Sequence, residues 1–268
     1  MGRNIPFVPA AALGKLWRAV IEFDMLQSGD RILIGLSGGK DSMLLTAMLA
    51  ELRKHSPVPF ELACYTVNGM FSSDFPRSEL EAFCLRFGLK HYADDVDIAS
   101  VIAKKGGSPC FSCAYFRRAA TNRKACELGF NKVALAHHND DAVETFFMNL
   151  VTSGQLKTFL PVTELTRTGI TVLRPLLYYR EYEIHSWVRK LGLKPLKNPC
   201  PYDGRTMRQD IKEHIAALNQ RYPEIYEHLA AAMRTNDASE LWPAKADEKD
   251  LSKKFHAFWR HEVKGANK

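Results

Sequence analysis

No stretch of the 268 residues approaches the roughly 20 consecutive apolar residues that a membrane-spanning helix needs. The N-terminus lacks the core of a signal peptide, because Lys15 and Arg18 interrupt the apolar run after Val8. There is no internal repeat and no low-complexity tract. Two common nucleotide-binding signatures are missing: the Walker spacing and the dinucleotide fingerprint G-x-G-x-x-G. Cysteine is sparse at six residues, which in a chain without a secretory signal argues against a disulfide framework. These absences leave a cytoplasmic globular protein with no membrane partner as the expectation. The hydrophobic content of 46% and charged content of 25% agree with that class.

What is present is more specific. Ile32, Leu33, Ile34 and Leu36 suit a strand covered on both faces, and Met43–Ala50 suits a helix. Between them runs Ser37-Gly38-Gly39-Lys40-Asp41-Ser42. The glycines permit positive φ and let backbone N–H groups approach a ligand closely. Ser37 and Ser42 add hydroxyl donors, and the helix directs its positive dipole end into the same space. A polyphosphate is the expected occupant. Asp41 would repel it unless a cation intervened, so Mg²⁺ shared between Asp41 and phosphate oxygens is expected. The plainer reading is a Gly-rich turn whose Asp and Ser only cap the helix.

Hydrophobic periodicity predicts a helix from Ala12 to Leu26, strands at Leu62–Asn68, Lys90–Ala93 and Lys132–Ala136, and helices at Arg77–Phe87 and Tyr115–Leu128. The turn Arg167-Thr168-Gly169 separates Phe159–Leu165 from Ile170–Leu173, a strand pair or a final strand reached by a loop. Alternation of this kind predicts an α/β fold: a parallel sheet of about five strands, helices on both faces and right-handed crossovers. An N-terminal helix precedes it, and a helical segment follows, with helices at Thr206–Asn219 and Pro223–Arg234. The expected division is a domain over 1–236 and a tail over 237–268, whose aromatics argue against a purely disordered extension.

Three further features carry chemistry. Cys110-Phe-Ser-Cys113 precedes a predicted helix, and Cys200 lies between prolines. With no second CxxC, the set is open between a redox pair, zinc completed by His137, His138 or His185, and a three-cysteine iron–sulfur site. His137-His138-Asn139-Asp140-Asp141 sits between a strand end and a helix start, where either Asp can cap or reach a shared site. The net charge of +7 favours an anionic partner. Arg117 and Arg118 follow Cys113 by about one helical turn, where a cation can neutralise a cluster or a phosphate. Arg205 and Arg208, at a helix start that disfavours cations, suggest an anionic ligand.

The hexapeptide Ser37–Ser42 in this setting resembles the PP-loop ATP pyrophosphatase superfamily. Cys110–Arg118, Leu135–Asp141, Leu173-Arg-Pro-Leu176 and Pro199-Cys-Pro201 occur in the order found in tRNA thiolases, most closely the tRNA 2-thiocytidine synthetase group. The resemblance covers roughly residues 12 to 235 and implies an ATP-dependent tRNA sulfurtransferase. Such an enzyme adenylates an oxygen on a pyrimidine ring, releases pyrophosphate and replaces the oxygen with sulfur. It implies ATP contacts at Ser37, Gly38, Gly39, Lys40, Asp41, Ser42, Asn68, Ala136 and Asp141, with Asp41, Asp141 and Arg117 in the catalytic step. It further implies a [4Fe-4S] cluster on Cys110, Cys113 and Cys200, tRNA contacts at Arg118, Arg205 and Arg208, a homodimer, and a sulfur donor that is a cysteine desulfurase or inorganic sulfide. The sequence departs from the family after Cys200, where Pro201-Tyr-Asp-Gly204 replaces the usual second cysteine and Gly-Ser. Alternatives are 2-thiouridine synthesis, a lysidine-type modification, thiolation of a small molecule and a zinc-stabilised ATP-binding module without turnover.

Overall fold

The structure, a computed structural model, describes residues 8–72, 74–105, 109–196, 207–234 and 247–259. In chain order the elements are α1 (Ala10–Glu22), β1 (Asp30–Gly35), α2 (Lys40–His55), β2 (Phe60–Asn68), α3 (Arg77–Arg86), β3 (Lys90–Asp95), α4 (Ile98–Lys105) and α5 (Pro109–Glu127). Then come β4 (Lys132–Ala134), α6 (Asn139–Ser153), β5 (Val162–Leu165), β6 (Ile170–Leu173), α7 (Glu181–Lys190), α8 (Met207–Arg221) and α9 (Ile225–Ala232). Contacts divide the chain into a unit Met1–Met233 and a unit Arg234–Lys268, and the second contains α10 (Glu248–Trp259).

The strands form one sheet in the order β3-β2-β1-β4-β6-β5. Neighbours are parallel except β5, which runs antiparallel to β6. The sheet therefore has six strands where about five were expected. The extra strand arises because the Thr166–Gly169 turn closes a hairpin, with Thr168 and Gly169 N–H both donating to Leu165 O at 2.9 Å. Gly169 there has φ +67°, a conformation suited to glycine. The N-terminal helix ends four residues earlier than predicted, near Asp24, whose φ of +48° is incompatible with continuing it.

Alternation along β1 assigns the two faces. Ile32, Ile34 and Leu36 pack with α1, α2, α3 and α7, through residues such as Leu16, Leu45, Leu80 and Ile184. Leu33 faces the other way, with Val133 and Ile170, towards Ile102 of α4 and Ala120 of α5. Each large aliphatic side chain buried this way contributes roughly 1.5–3 kcal/mol, so both faces are strongly held. A third cluster joins Val143 of α6 to Ile211 and Ile215 of α8 and Tyr226 of α9.

This order makes the β1/β4 junction the point where the strand sequence reverses direction. In open α/β sheets, the crevice outside the carboxyl ends of the strands at such a junction is where ligands bind. The Ser37–Ser42 turn leaves β1, and His137–Asp141 leaves β4. Both motifs therefore reach one crevice, although a hundred residues separate them.

Candidate functional site

The turn after β1 is braced from within. Gly38 has φ +83°, the left-handed region, and a Cβ there would meet Leu196 at 3.2 Å and Leu80 at 3.4 Å. Gly39 is extended at φ −71°, so only the first glycine supplies the expected positive φ. The Ser42 hydroxyl donates to Gly39 O at 3.0 Å and accepts from Ser37 N–H at 3.1 Å. Its proton is committed to the turn, so Ser42 shapes the loop instead of offering the donor expected of it. The Ser37 hydroxyl, 3.1 Å from Ser42 Oγ, remains beside the opening. Gly39 at the N-cap has no side chain to cap α2, while its own N–H donates to Ser37 Oγ at 3.3 Å, so the first-turn N–H groups of the helix are left for a ligand.

Asp41 meets the requirement for a cation ligand. Lys40 Nζ donates to Asp41 Oδ2 at 3.1 Å and also stands 3.1 Å from Oδ1, which is buried and, among the described residues, accepts no hydrogen bond. A carboxylate oxygen with an ammonium beside it but no well-formed hydrogen bond can still take a hard cation. Lys40 also pairs with Glu181 at 3.2 Å. Burial presses the Lys40 ammonium towards neutrality, but Asp41 and Glu181 outweigh it and raise its pKa. Glu181 is held charged by Lys212 and Lys40 against its own burial.

Across the crevice, Asp141 accepts His138 N–H at 3.0 Å, closing the start of α6, while its other oxygen takes Arg208 at 3.1 Å. It thus caps the helix and also faces the crevice. Asp140 points elsewhere. It is buried, accepts Glu181 N–H at 2.7 Å, and is bridged by Arg180 Nε at 3.2 Å. It therefore fixes the start of α7 and not a ligand. The imidazole of His138 lies among three carboxylates, 3.5 Å from Asp141, 3.7 Å from Asp140 and 4.0 Å from Asp41. Burial lowers its pKa, and Asp140, Asp141 and Asp41 more than reverse that, leaving it raised. His137 is half-buried against the Phe159 ring, 5.0 Å between centroids, and desolvation brings it to about 4. It is neutral near pH 7. Glu144 is buried behind Asp141, and burial followed by the Asp141 charge raises it to about 7, with Arg208 3.6 Å away.

The cysteine motif lies within α5, not before it as predicted. Pro109 opens the helix, Cys110 is exposed and Cys113 half-buried one turn on. Pro at a first helical position is pre-set for the conformation, which moves the start six residues forward. Residues three apart share a helix face, and the positive end of the helix favours thiolates. Two such sulfurs suit two corners of a thiolate-ligated centre. Cys200 and Arg205 lie outside the described residues. The segment that leads to Cys200 begins at Leu196, whose N–H donates to Gly38 O at 2.9 Å, so it departs from the phosphate turn itself. Among the described residues, no three His, Cys, Asp or Glu side chains gather as a metal cage. His137, His138 and His185 are engaged with Phe159, the aspartates and Glu181 respectively, which disfavours the zinc alternative built on them.

Arg117 and Arg118 face a cavity of about 850 Å³ between α5, the sheet and the β5–β6 hairpin, with Ser37 also on its wall. Asn68 gives its amide to Asp95 at 2.8 Å and accepts Met70 N–H at 3.0 Å, so it organises the loop after β2. Ala136 is half-buried in the turn after β4. Arg208, expected at a helix start facing phosphate, instead bridges Asp141 and Thr145, the latter at 3.0 Å. Sequence reasoning missed Arg174, Arg180, Glu181 and Lys212. The run Glu181–Lys190 did hold a signal, since Ile184, Trp187 and Val188 fall on one helical face.

A doubly wound sheet with a phosphate turn and a facing carboxylate at its switch point defines a nucleotide-binding α/β enzyme class. The PP-loop domain family matches residues 14–218. A tRNA-cytidine(32) 2-sulfurtransferase from Dechloromonas aromatica is 34% identical over 232 residues, covering 85% of this chain and 80% of that protein. One from Xylella fastidiosa is 33% identical over 249 residues, 91% of this chain and 81% of its own. The solved U34-tRNA thiolase NcsA from Methanococcus maripaludis, with its [4Fe-4S] cluster, superposes with a TM-score of 0.68 at 22% identity. That superposition covers 90% of this chain and 87% of NcsA, and it speaks to the fold. The chain belongs to the PP-loop family, and within it to the family of these tRNA-cytidine(32) 2-sulfurtransferases.

Proposed function

We propose that the protein is an ATP-dependent tRNA thiolase that replaces a pyrimidine carbonyl oxygen with sulfur, forming 2-thiocytidine. The observation that carries this reading is that Ser37 of the phosphate turn and Arg117, one helical turn beyond Cys113, border the same cavity. Activation of oxygen and delivery of sulfur thus have one place to meet. The names of the 34% and 33% identical relatives support the substrate.

In this reading the triphosphate lies over residues 37–42, with backbone N–H groups, the Ser37 hydroxyl and Lys40 as donors. Asp41 and Asp141 hold Mg²⁺, which neutralises phosphate charge. The base carbonyl oxygen attacks the α-phosphorus, the bond to the β-phosphate oxygen breaks, and pyrophosphate leaves. The base then carries AMP on that oxygen. Sulfur at the sulfide level attacks the activated carbon, the C–O bond breaks with AMP as leaving group, and a thiocarbonyl remains, with no net change of oxidation state. A [4Fe-4S] cluster on Cys110, Cys113 and Cys200 would supply an iron without a protein ligand, able to hold that sulfide. Arg117 offsets negative charge as AMP departs. Arg118 and Arg205 are assigned to tRNA phosphates, and Arg208 shares itself between Asp141 and that role. Residues 1–236 form the catalytic domain, with 237–268 as an appended tail. The donor is a cysteine desulfurase or inorganic sulfide, the assembly a homodimer and the compartment the cytoplasm.

Mass spectrometry of tRNA nucleosides from cells with and without the gene tests the reading. Loss of 2-thiocytidine alone is expected, and an unchanged set of thionucleosides would refute it. Iron and labile sulfide in anaerobically purified protein separate it from lysidine-type chemistry.

A further inference from the structure

The cavity beside Ser37 has a chemistry of its own. Its floor is apolar sheet surface, including Val133, Leu135 and Val172. Four arginines line it, Arg117, Arg118, Arg167 and Arg174, against the single carboxylate of Glu164. The Nε–H groups of Arg117 and Arg174 are buried and donate to nothing among the described residues. Leaving such a donor unsatisfied costs about 1–3 kcal/mol, more when it is charged, so its persistence points to an acceptor brought from outside.

Arg174 is otherwise fixed. One Nη donates to Leu160 O at 2.6 Å and to Thr163 Oγ1 at 3.0 Å, and the guanidinium lies 5.0 Å from the Phe159 ring centre. Burial, with the neighbouring Arg118 charge, lowers it to about 10. Like charges held together over an apolar floor describe a receptor for a flat ring that carries an anion. The space is ample for a mononucleotide, given ligand pockets of roughly 300–1,000 Å³.

We propose that this cavity receives the target pyrimidine nucleotide of the tRNA, turned out of its loop, with Arg117 and Arg174 donating to its carbonyl oxygen and phosphate. The inference rests on the thiolase reading and adds where the acceptor sits. Position favours this occupant: the reacting base must reach both the triphosphate and the sulfur, and the cavity wall carries Ser37 of the phosphate turn together with Tyr115, Arg117 and Arg118 of the helix that bears Cys113. Extruding a base from a single-stranded loop costs little, and apolar surface with arginine planes is what such a base stacks on. The rival occupant is the adenosine of ATP.

The test is equilibrium binding of cytidine 5′-monophosphate to the full-length protein, with and without a saturating non-hydrolysable ATP analogue. CMP is expected to bind alongside the analogue. R117Q, R174Q and R174K are each expected to weaken CMP about tenfold or more, with R174Q and R174K holding analogue affinity within about twofold. R174K keeps the charge but not the Nε–H. R117Q, on α5 and not on the hairpin, decides the matter if the Arg174 variants fail to fold. Displacement of CMP by the analogue, or CMP affinity indifferent to R117Q, overturns the proposal. If R117Q thiolates tRNA at the wild-type rate, this inference and the charge-offsetting role of Arg117 both fail, while thiolation itself stands. If the wild-type protein thiolates no tRNA, both fall.

Discussion

The backbone N–H of Leu196 donates to the carbonyl of Gly38 at 2.9 Å, tying the chain that leads to Cys200 directly to the phosphate turn. Leu196 also stands where a Gly38 side chain would go. Gly38→Ala must therefore pay for both a left-handed φ and a displaced Leu196, roughly 1–3 kcal/mol. The expected outcome is a lower melting temperature together with weaker ATP binding. A variant that keeps wild-type ATP affinity would show that the turn tolerates the shift.

Asp41→Asn keeps the size of the side chain and removes the charge that a cation needs. If Asp41 ligates Mg²⁺, tRNA-dependent pyrophosphate release should fall about a hundredfold or more, because metal stabilisation of phosphoryl charge is worth several kcal/mol. The Mg²⁺ concentration for half-maximal rate should rise. Pyrophosphate release assayed across a Mg²⁺ titration reads both quantities.

Asp140 and Arg180 form a largely buried ion pair that also receives the Glu181 N–H. Asp140→Ala strands the guanidinium and a backbone donor, for an expected loss of about 3 kcal/mol. The denaturant midpoint should drop without a change in slope. A loss under about 0.5 kcal/mol would mean that Arg180 finds Glu227, 3.2 Å away, as a sufficient partner.

Glu144 sets a pH dependence. Its folded pKa is about 7 against 4.5 for the free side chain, so the folded state binds more protons between those values. Stability from this group is therefore present below about 4.5 and lost as pH rises to about 7. His137 acts in the opposite sense. Its folded value of about 4 lies below 6.5, so its contribution is present above 6.5 and lost as pH falls towards 4. Comparing Glu144→Gln with wild type isolates the first group: the variant should gain stability relative to wild type at pH 8 and not at pH 5, by thermal melts at each pH.

Cys110→Ser and Cys113→Ser should each abolish iron and labile sulfide after anaerobic reconstitution while ATP binding persists, since both lie on α5 and not on the phosphate turn. Retained iron in either would remove that cysteine from the ligand set.

The parts of the site that were readable are those written locally. Gly38, Asp41 and Asp141 announce themselves because a turn, a strand end and a helix start require particular residues within a few positions. The CxxC was visible but its helix was placed late, since Phe111, Ser112 and Tyr115 give no apolar stripe. Glu181 was invisible, because its meaning comes from Lys40, 141 positions earlier in sequence and 3.2 Å away in space. Arg174 was quoted only within a motif. Its burial and its unpartnered Nε depend on a hairpin whose second strand pairs with β4.

The pairing of Ile32 with Lys132 and Ile34 with Ala134 makes two adjacent strands out of segments a hundred residues apart. Everything between them is an excursion that leaves the junction and returns to it. Substitutions confined to α4 and α5 can therefore reshape the acceptor side of the crevice while the β1–β4 pairing that carries the phosphate turn and Asp141 keeps its register.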